Sequence, residues 1–260
     1  MKTLAIWADG TLVPEGAPAV AATDLAFTRG YALFETARVT GGGTIVEHER
    51  HLQRLLESAG ALRFPPVDRK TIDDGVAAVL PFVPPEGARL RYTVTGSGSC
   101  VVELSELPPD RVTVRAVTAS WPVNELSPLT AHKLTSYAEN MWAIAEARAA
   151  GADEALFRNL RGDYCEGTMS NLFIVSGGRL ITPPLDAGIL PGVTRAVIME
   201  RAGEAGIVVV EERVTPEAIF AAGEVMVTGS VKGVVPVIEL DGRRFEVGPV
   251  TRRLQELMAG

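Results

Sequence analysis

Between Ala119 and Thr130 the chain reads ASWPVNELSPLT, two prolines with mixed polarity and no apolar period, and this stretch divides the patterned sequence on either side into two bodies. On its N-terminal side the first segments alternate apolar and polar residues and are broken by turns. Leu4 to Trp7 reads as a strand, Asp9-Gly10 as a hairpin turn and Leu33 to Thr40 as a longer strand. Gly41-Gly42-Gly43 turns the chain into Thr44 to Val46. From Glu47 the period changes: Leu52, Leu55, Leu56 and Ala59 recur at helical spacing, and Gly60 is the expected stop. A second helix is expected over Val67 to Leu80, followed by strands at Arg89 to Thr95, Cys100 to Leu104 and Arg111 to Val117. This order mixes helices with antiparallel hairpins and does not repeat a βαβ unit.

On the C-terminal side a helix is expected from Ser136 to Ala150, ended by Gly151. Short strands at Glu154 to Arg158 and Leu172 to Val175 flank a turn at Leu160 to Asp163, and Gly177-Gly178 turns the chain into Arg179 to Thr182. A helix over Val193 to Ala205 is entered through Leu190-Pro191-Gly192 and left through Gly206. Val208 to Val210, Glu224 to Thr228 and Val234 to Leu240 read as strands, and Val250 to Met258 as a closing helix. No internal repeat is present. The fold class expected is α+β in two domains: a small N-terminal domain over 1–118, a linker over 119–130 and a larger domain over 131–260 with a mainly antiparallel sheet or barrel.

A net charge of −7 argues against nucleic acid or an anionic membrane as partner, because either favours a basic face. No stretch has the apolar length of a membrane span or a secretory leader. The only cysteines, Cys100 and Cys165, lie far apart, so a reducing cytoplasm is the expected setting. His48, His51 and His132 are too scattered for a metal site, and His48 with His51 reads as a solvated helix face.

Four features bear on chemistry. Lys133, in TAHKLTSY, follows the linker and precedes an apolar helix, where desolvation would favour its neutral, nucleophilic form; a surface lysine at a helix entrance is the commoner reading. Glu166, in CEGTMSNLF, can cap nearby amides or hold a proton on a cofactor nitrogen. Leu190-Pro-Gly-Val-Thr-Arg195 runs straight into a helix, so Gly192, Val193 and Thr194 offer amides and a positive helix end to an anion such as a phosphate. Thr228, Gly229 and Ser230 form a second small-residue turn with hydroxyls and amides, and Arg54 can supply a bidentate clamp for the same anion. Arg195 reads as a plain helix residue. No Walker-type or Gly-x-Gly-x-x-Gly loop occurs, which makes a nucleotide the weaker fit.

These pieces in this order resemble the class IV aminotransferases, the pyridoxal-phosphate enzymes of fold type IV, which include branched-chain and D-amino-acid aminotransferases and aminodeoxychorismate lyases. The resemblance runs nearly end to end: Asp24 with Arg29-Gly30 and Leu33-Phe-Glu-Thr-Ala-Arg38; His51-Leu-Gln-Arg-Leu55; Lys133 with Tyr137; Glu166-Gly-Thr-Met-Ser-Asn-Leu-Phe173; Thr182-Pro183 with Leu190 to Arg195; and Glu224 with Thr228-Gly-Ser230 and Pro236. It implies the fold type IV architecture, pyridoxal 5′-phosphate as cofactor, Lys133 as the catalytic Schiff-base lysine and Glu166 as the carboxylate at the pyridine nitrogen. It further implies a phosphate cradle of Arg54, Gly192, Val193, Thr194 and the Thr228 to Ser230 turn, Tyr137 near the cofactor's phenolic oxygen, and a homodimer.

The same resemblance implies transfer of an amino group between an amino acid or amine and a 2-oxo acid, with elimination of pyruvate from aminodeoxychorismate as the alternative. Arg29 stands where many members carry an aromatic residue, so Arg29 or Arg38 is a candidate for a substrate carboxylate, against a structural pairing of Arg29 with Asp24 or Glu35. Phe34 and Tyr92 complete the candidate substrate contacts. Thr228-Gly-Ser230 favours transamination, whereas Phe34 to Arg38, the short Lys133 to Tyr137 offset and Asn140 lean towards lyase-like members.

Overall fold

A computed structural model describes residues 1–66 and 68–259, and the chain divides into two compact units: 1–109 with 132–137, and 110–131 with 138–260. Both are mixed α and β, the second built on a closed sheet, as the resemblance implies.

In the first unit, β1 (Thr3–Ala8), β2 (Thr11–Leu12), β3 (Ala32–Val39), β4 (Ala88–Thr95) and β5 (Cys100–Ser105) form one antiparallel sheet in the order β2-β1-β5-β4-β3. Asp9 and Gly10 make the β1–β2 turn with φ of 44° and 103°, the positive values that a tight hairpin demands. Helix α1 (Leu25–Arg29) is short, with the Asp24 carboxylate accepting from Ala26 N and Gly30 closing it in the left-handed region. Five residues are too few to show a helical period, and this helix was not expected.

Helices α2 (His48–Ala61) and α3 (Arg69–Val79) cover one sheet face. Leu52 and Leu55 of α2, and Ile72, Val76 and Val79 of α3, pack on Leu33, Val39, Leu90, Tyr92, Val102 and Leu104. Helix α2 runs through Gly60 to Ala61 with Leu62 as its cap, and the left-handed residue that closes it is Arg63 (φ 55°), whose amide donates to Gly60 O at 3.2 Å while Phe64 N donates to Ala59 O at 2.9 Å. The expected start of the next helix at Val67 lies outside the described residues; Asp68 caps α3 through Lys70 N. Residues 132–137 add to this unit at the β3 edge: Phe34 N donates to Lys133 O (2.9 Å), Thr135 N donates to Ala32 O (2.8 Å), and Leu33 bridges Leu134. The division therefore differs from the expected boundaries, since an edge strand leaves amides and carbonyls that a distant segment can satisfy without any periodic signature.

The second unit contains β6 (Val114–Thr118), α4 (Ala138–Ala149), β7 (Glu154–Arg158), β8 (Tyr164–Gly167), β9 (Ser170–Ser176), β10 (Arg179–Thr182), α5 (Val193–Glu204), β11 (Val208–Glu211), α6 (Pro216–Ala221), β12 (Glu224–Gly229), β13 (Gly233–Leu240), β14 (Arg243–Arg244) and α7 (Pro249–Ala259). Strands β9, β12, β13, β6, β7 and β8 pair in sequence, and β8 returns to β9, closing a ring; β10 and β11 extend from β9, and β14 pairs with β13. Most pairings are antiparallel, with β13–β6, β6–β7 and β10–β11 parallel. Closure buries both faces of β9, so Leu172, Phe173 and Ile174 are all inaccessible. The stretch over 119–130 belongs to this unit and follows β7: Val123 N donates to Arg158 O (2.8 Å), and Glu125 accepts from Leu160 N (2.9 Å).

Two charged groups are structural. Arg195 is buried, donates to Thr182 Oγ1 and Pro183 O and pairs with Glu211, so it ties α5 to β10 and β11 and is not a plain helix residue. Glu224, buried on β12, caps α7 by accepting from Val250 N (3.1 Å), Thr251 N (2.7 Å) and Thr251 Oγ1 (2.6 Å). Gly248 admits it, because a Cβ there would overlap the carboxylate. Glu224→Ala orphans these donors and is expected to lower stability by roughly 2–3 kcal/mol, read as a lower urea midpoint at unchanged slope; an unmoved midpoint would show that solvent replaces the cap.

Candidate active site

Strand β3 alternates, and each face carries one set of functional side chains. Its core face presents Glu35, 1% exposed, which accepts from Arg54 Nε at 2.7 Å and Nη2 at 2.6 Å and meets His51 Nδ1 at 2.7 Å. Burial pushes the Glu35 carboxyl up, but the His51 hydrogen bond and the Arg54 charge outweigh it and hold its pKa at about 2. His51 is thus buried against a carboxylate, not solvated, because one turn of α2 places it and Arg54 on the same side over β3. His48 is half-buried, 3.8 Å from Asp73, and burial lowers its pKa.

The opposite face of β3 and β4 carries Phe34, Thr36, Arg38, Arg89, Arg91 and Thr93, with Phe34 opposite Thr93, Thr36 opposite Arg91 and Arg38 opposite Arg89. The Arg91 guanidinium stacks on the Phe34 ring, 3.8 Å from its centroid. Burial, with the like charge of Arg89, lowers the Arg91 pKa against the opposing charge of Glu103, its direct cross-strand neighbour on β5. Lys133 Nζ lies 4.6 Å from the same ring and donates to Tyr137 Oη at 3.3 Å. Tyr137 meets Phe34 edge to face at 5.4 Å. Next to Lys133, His132 Nδ1 is 2.9 Å from Ser58 Oγ on α2. An amine, a phenol and a guanidinium therefore gather around one aromatic ring.

The remaining candidates in this unit are placed differently. Tyr92, a candidate substrate contact, is 0% exposed on the core face of β4, and burial pushes its hydroxyl up. Period-two alternation puts Arg91, one residue earlier, on the opposite face, which the Arg89-x-Arg91-x-Thr93 pattern marks as the polar one. Arg29 is exposed on α1 and donates to Thr28 O; Asp24 serves α1 and Thr95, and Glu35 serves Arg54 and His51, so neither structural pairing suggested for Arg29 is formed. Arg38 lies on the Phe34 face, opposite Arg89.

In the second unit, three neighbouring ring strands align Glu166, Asn171 and Thr228: Asn171 is the direct partner of Glu166 on β8 and of Thr228 on β12. Glu166 Oε2 accepts from Leu190 N at 3.0 Å, and Asn171 Nδ2 donates to Leu190 O at 2.9 Å and reaches Glu166 at 3.5 Å. The loop into α5 is thereby pressed onto Asn171, and Gly192 is required there because a Cβ would overlap Asn171 Oδ1. Gly192 provides no side-chain cap for α5. Thr194 Oγ1 donates to Ser230 Oγ at 3.3 Å, and Thr228 Oγ1 is buried with no partner among the described residues. An uncapped helix N-terminus, facing hydroxyls and an orphaned buried hydroxyl fit an anionic group such as a phosphate ester. Asn140 on α4 donates to Thr168 O at 2.7 Å, tying α4 to the turn between β8 and β9.

The Amino-transferase class IV family model matches residues 32–240. A Methanocaldococcus jannaschii protein with a provisional branched-chain-amino-acid aminotransferase name is 34% identical, over 96% of this chain and 94% of its own length. Among solved structures, the branched-chain aminotransferase of Thermoproteus uzoniensis with norvaline superposes with a TM-score of 0.91 at 30% identity, covering 98% of this chain and 93% of that one. A Legionella pneumophila protein with a provisional 4-amino-4-deoxychorismate lyase name superposes with a TM-score of 0.86 at 28% identity, covering 94% and 96%.

Proposed function

The chain belongs to the class IV aminotransferases, and from that premise we propose that it is a pyridoxal-phosphate-dependent homodimeric enzyme of the cytoplasm that takes branched-chain amino acids as donors and a 2-oxo acid as acceptor. The observation that carries this reading is the Lys133 amine, 3.3 Å from Tyr137 Oη and beside the Phe34 ring on which Arg91 stacks. When bound, the cofactor supplies an electron-accepting ring that takes up the charge left when a substrate Cα loses its proton. Lys133 is the residue proposed to hold the cofactor's aldehyde carbon and to move that proton. Tyr137 orients the Lys133 amine, and Glu166 is the proposed partner of the ring nitrogen. Val193 and Thr194 amides with Thr228, Gly229 and Ser230 form the proposed phosphate seat, and Arg54, oriented by Glu35, is proposed as a phosphate residue on the family resemblance alone.

Phe34 gives the substrate side chain an apolar wall, and the names carried by relatives make leucine, isoleucine and valine the donors to try first. For the acceptor, Arg91 is the better carboxylate partner than Arg29, since its guanidinium is partly buried against the Phe34 ring whereas Arg29 is exposed on α1. Exposed Met141 and Trp142 on α4 offer apolar surface to a second copy. No helix among the described residues is long and apolar enough to cross a membrane.

The test is an amino-donor panel with 2-oxoglutarate, run on the wild type and on Arg91→Leu, beside a separate incubation with aminodeoxychorismate. Transfer from branched-chain donors is expected, with the KM for 2-oxoglutarate raised about tenfold or more in the variant, the loss of a charge-assisted pair. Release of aminobenzoate and pyruvate without amino transfer would replace this reading with the lyase.

A further inference from the structure

Glu154 on β7 is a buried carboxylate that serves two separate turns of the second unit. Its Oε1 accepts from Thr168 N at 3.1 Å and from Thr168 Oγ1, and its Oε2 accepts from Ser170 Oγ at 3.0 Å, so the tip of the β8–β9 hairpin hangs on one side chain. Gly167 makes room, since a Cβ there would overlap Ser170 Oγ and approach the carboxylate. The same Oε2 meets Lys232 Nζ at 3.2 Å. Lys232 lies in the β12–β13 turn, two residues after Ser230, and its stem crosses Gly229: a Cβ on Gly229 would sit 3.4 Å from Lys232 Cε and 3.5 Å from both Lys232 Cγ and Met169 O. Lys232 is thus a strap from one turn, over the next, to a carboxylate that already fixes the hairpin beside it.

A lysine in a surface turn loses little by staying in water, and an exposed ion pair adds little to stability. A pair whose carboxylate is 5% exposed and whose ammonium is 29% exposed carries a desolvation cost that its attraction only roughly offsets, so its main effect is geometric. We propose that Lys232 and Glu154 are positioning residues for the cofactor phosphate, holding the Thr228–Ser230 turn in the register where Ser230 faces Thr194 at the α5 N-terminus. This rests on the reading of that turn as the phosphate seat. Neither residue need touch the phosphate; the strap acts through the turn.

The discriminating ligands are pyridoxamine 5′-phosphate and pyridoxamine, which differ only in the phosphate and bind without a covalent bond to the chain. The full chain, stripped of cofactor, is titrated with each as wild type, Lys232→Met and Lys232→Arg. The wild type is expected to prefer the phosphorylated ligand strongly. Lys232→Met should narrow that preference about tenfold while pyridoxamine binds within about twofold of wild type, and Lys232→Arg, which still reaches Glu154, should keep the preference. An unchanged preference in Lys232→Met would overturn the proposal, as would an equal loss for both ligands, the mark of a general structural role. A wild type indifferent to the phosphate would instead remove the seat itself.

Discussion

Lys133→Ala is expected to hold no cofactor covalently and to lose amino transfer by roughly a thousandfold or more, the range for removal of a group that both binds covalently and moves the reacting proton. The chain has four lysines: Lys2, Lys70, Lys133 and Lys232. Lys2 and Lys70 are exposed, Lys70 is paired with Asp74, and Lys232 is paired with Glu154. Lys133 is held differently, by its backbone against β3 and by its amine against Tyr137. Because Phe34 and Thr135 grip the main chain there, truncating the side chain leaves the segment in place, and the variant should melt close to the wild type. The measurement is borohydride reduction of the cofactor-loaded protein followed by peptide mapping, with near-visible absorbance as a second readout. Label on Lys133 in the wild type and none in the variant is the expected result. Label at another lysine, with activity retained, would overturn the assignment.

How far such a site can be read from sequence depends on which interactions leave a period. The strands and most helices do: β3, β4, β5, β9 and β12 alternate or run apolar, and α2, α5 and α7 repeat at helical spacing, so their places were legible. Strand β8 was missed because Tyr164 to Gly167, Tyr-Cys-Glu-Gly, neither alternates nor runs apolar, and α1 and α6 because neither reaches two turns. Tertiary pairing leaves no period at all. Nothing near His51 announces that Glu35, sixteen residues earlier, will bury it, and nothing after the proline-containing stretch shows that residues 133–135 will complete an edge of the first sheet. The resemblance to the class IV aminotransferases supplied what local pattern could not, and the family match and superpositions bear out the fold and the enzyme class. It did not separate Tyr92 from Arg91. That required knowing which face of β4 is the core, and two adjacent residues of a strand always face opposite ways.

Glu166→Gln is expected to cut kcat by roughly a hundredfold or more while leaving the cofactor bound, because only the charge is removed from a site whose hydrogen-bond geometry survives. Glutamine keeps an acceptor for Leu190 N, and the cross-strand row of Glu166, Asn171 and Thr228 depends on the backbone register of β8, β9 and β12, which the change does not touch. A neutral amide cannot hold a proton on a ring nitrogen as a carboxylate does, so with Glu166 in its proposed place the ring would take up charge less readily. The effect should fall on kcat with little change in KM, since the substrate contacts proposed around Phe34 and Arg91 are in the other unit and are left unaltered. Glu166→Ala removes the acceptor as well. Leu190 N then loses its partner next to Gly192, the loop into α5 loosens, and cofactor affinity should fall together with kcat. The two variants thus separate charge from geometry. If Glu166→Gln transfers amino groups at the wild-type rate while Glu166→Ala does not, Glu166 serves only to brace the loop, and the carboxylate at the ring nitrogen must be sought elsewhere.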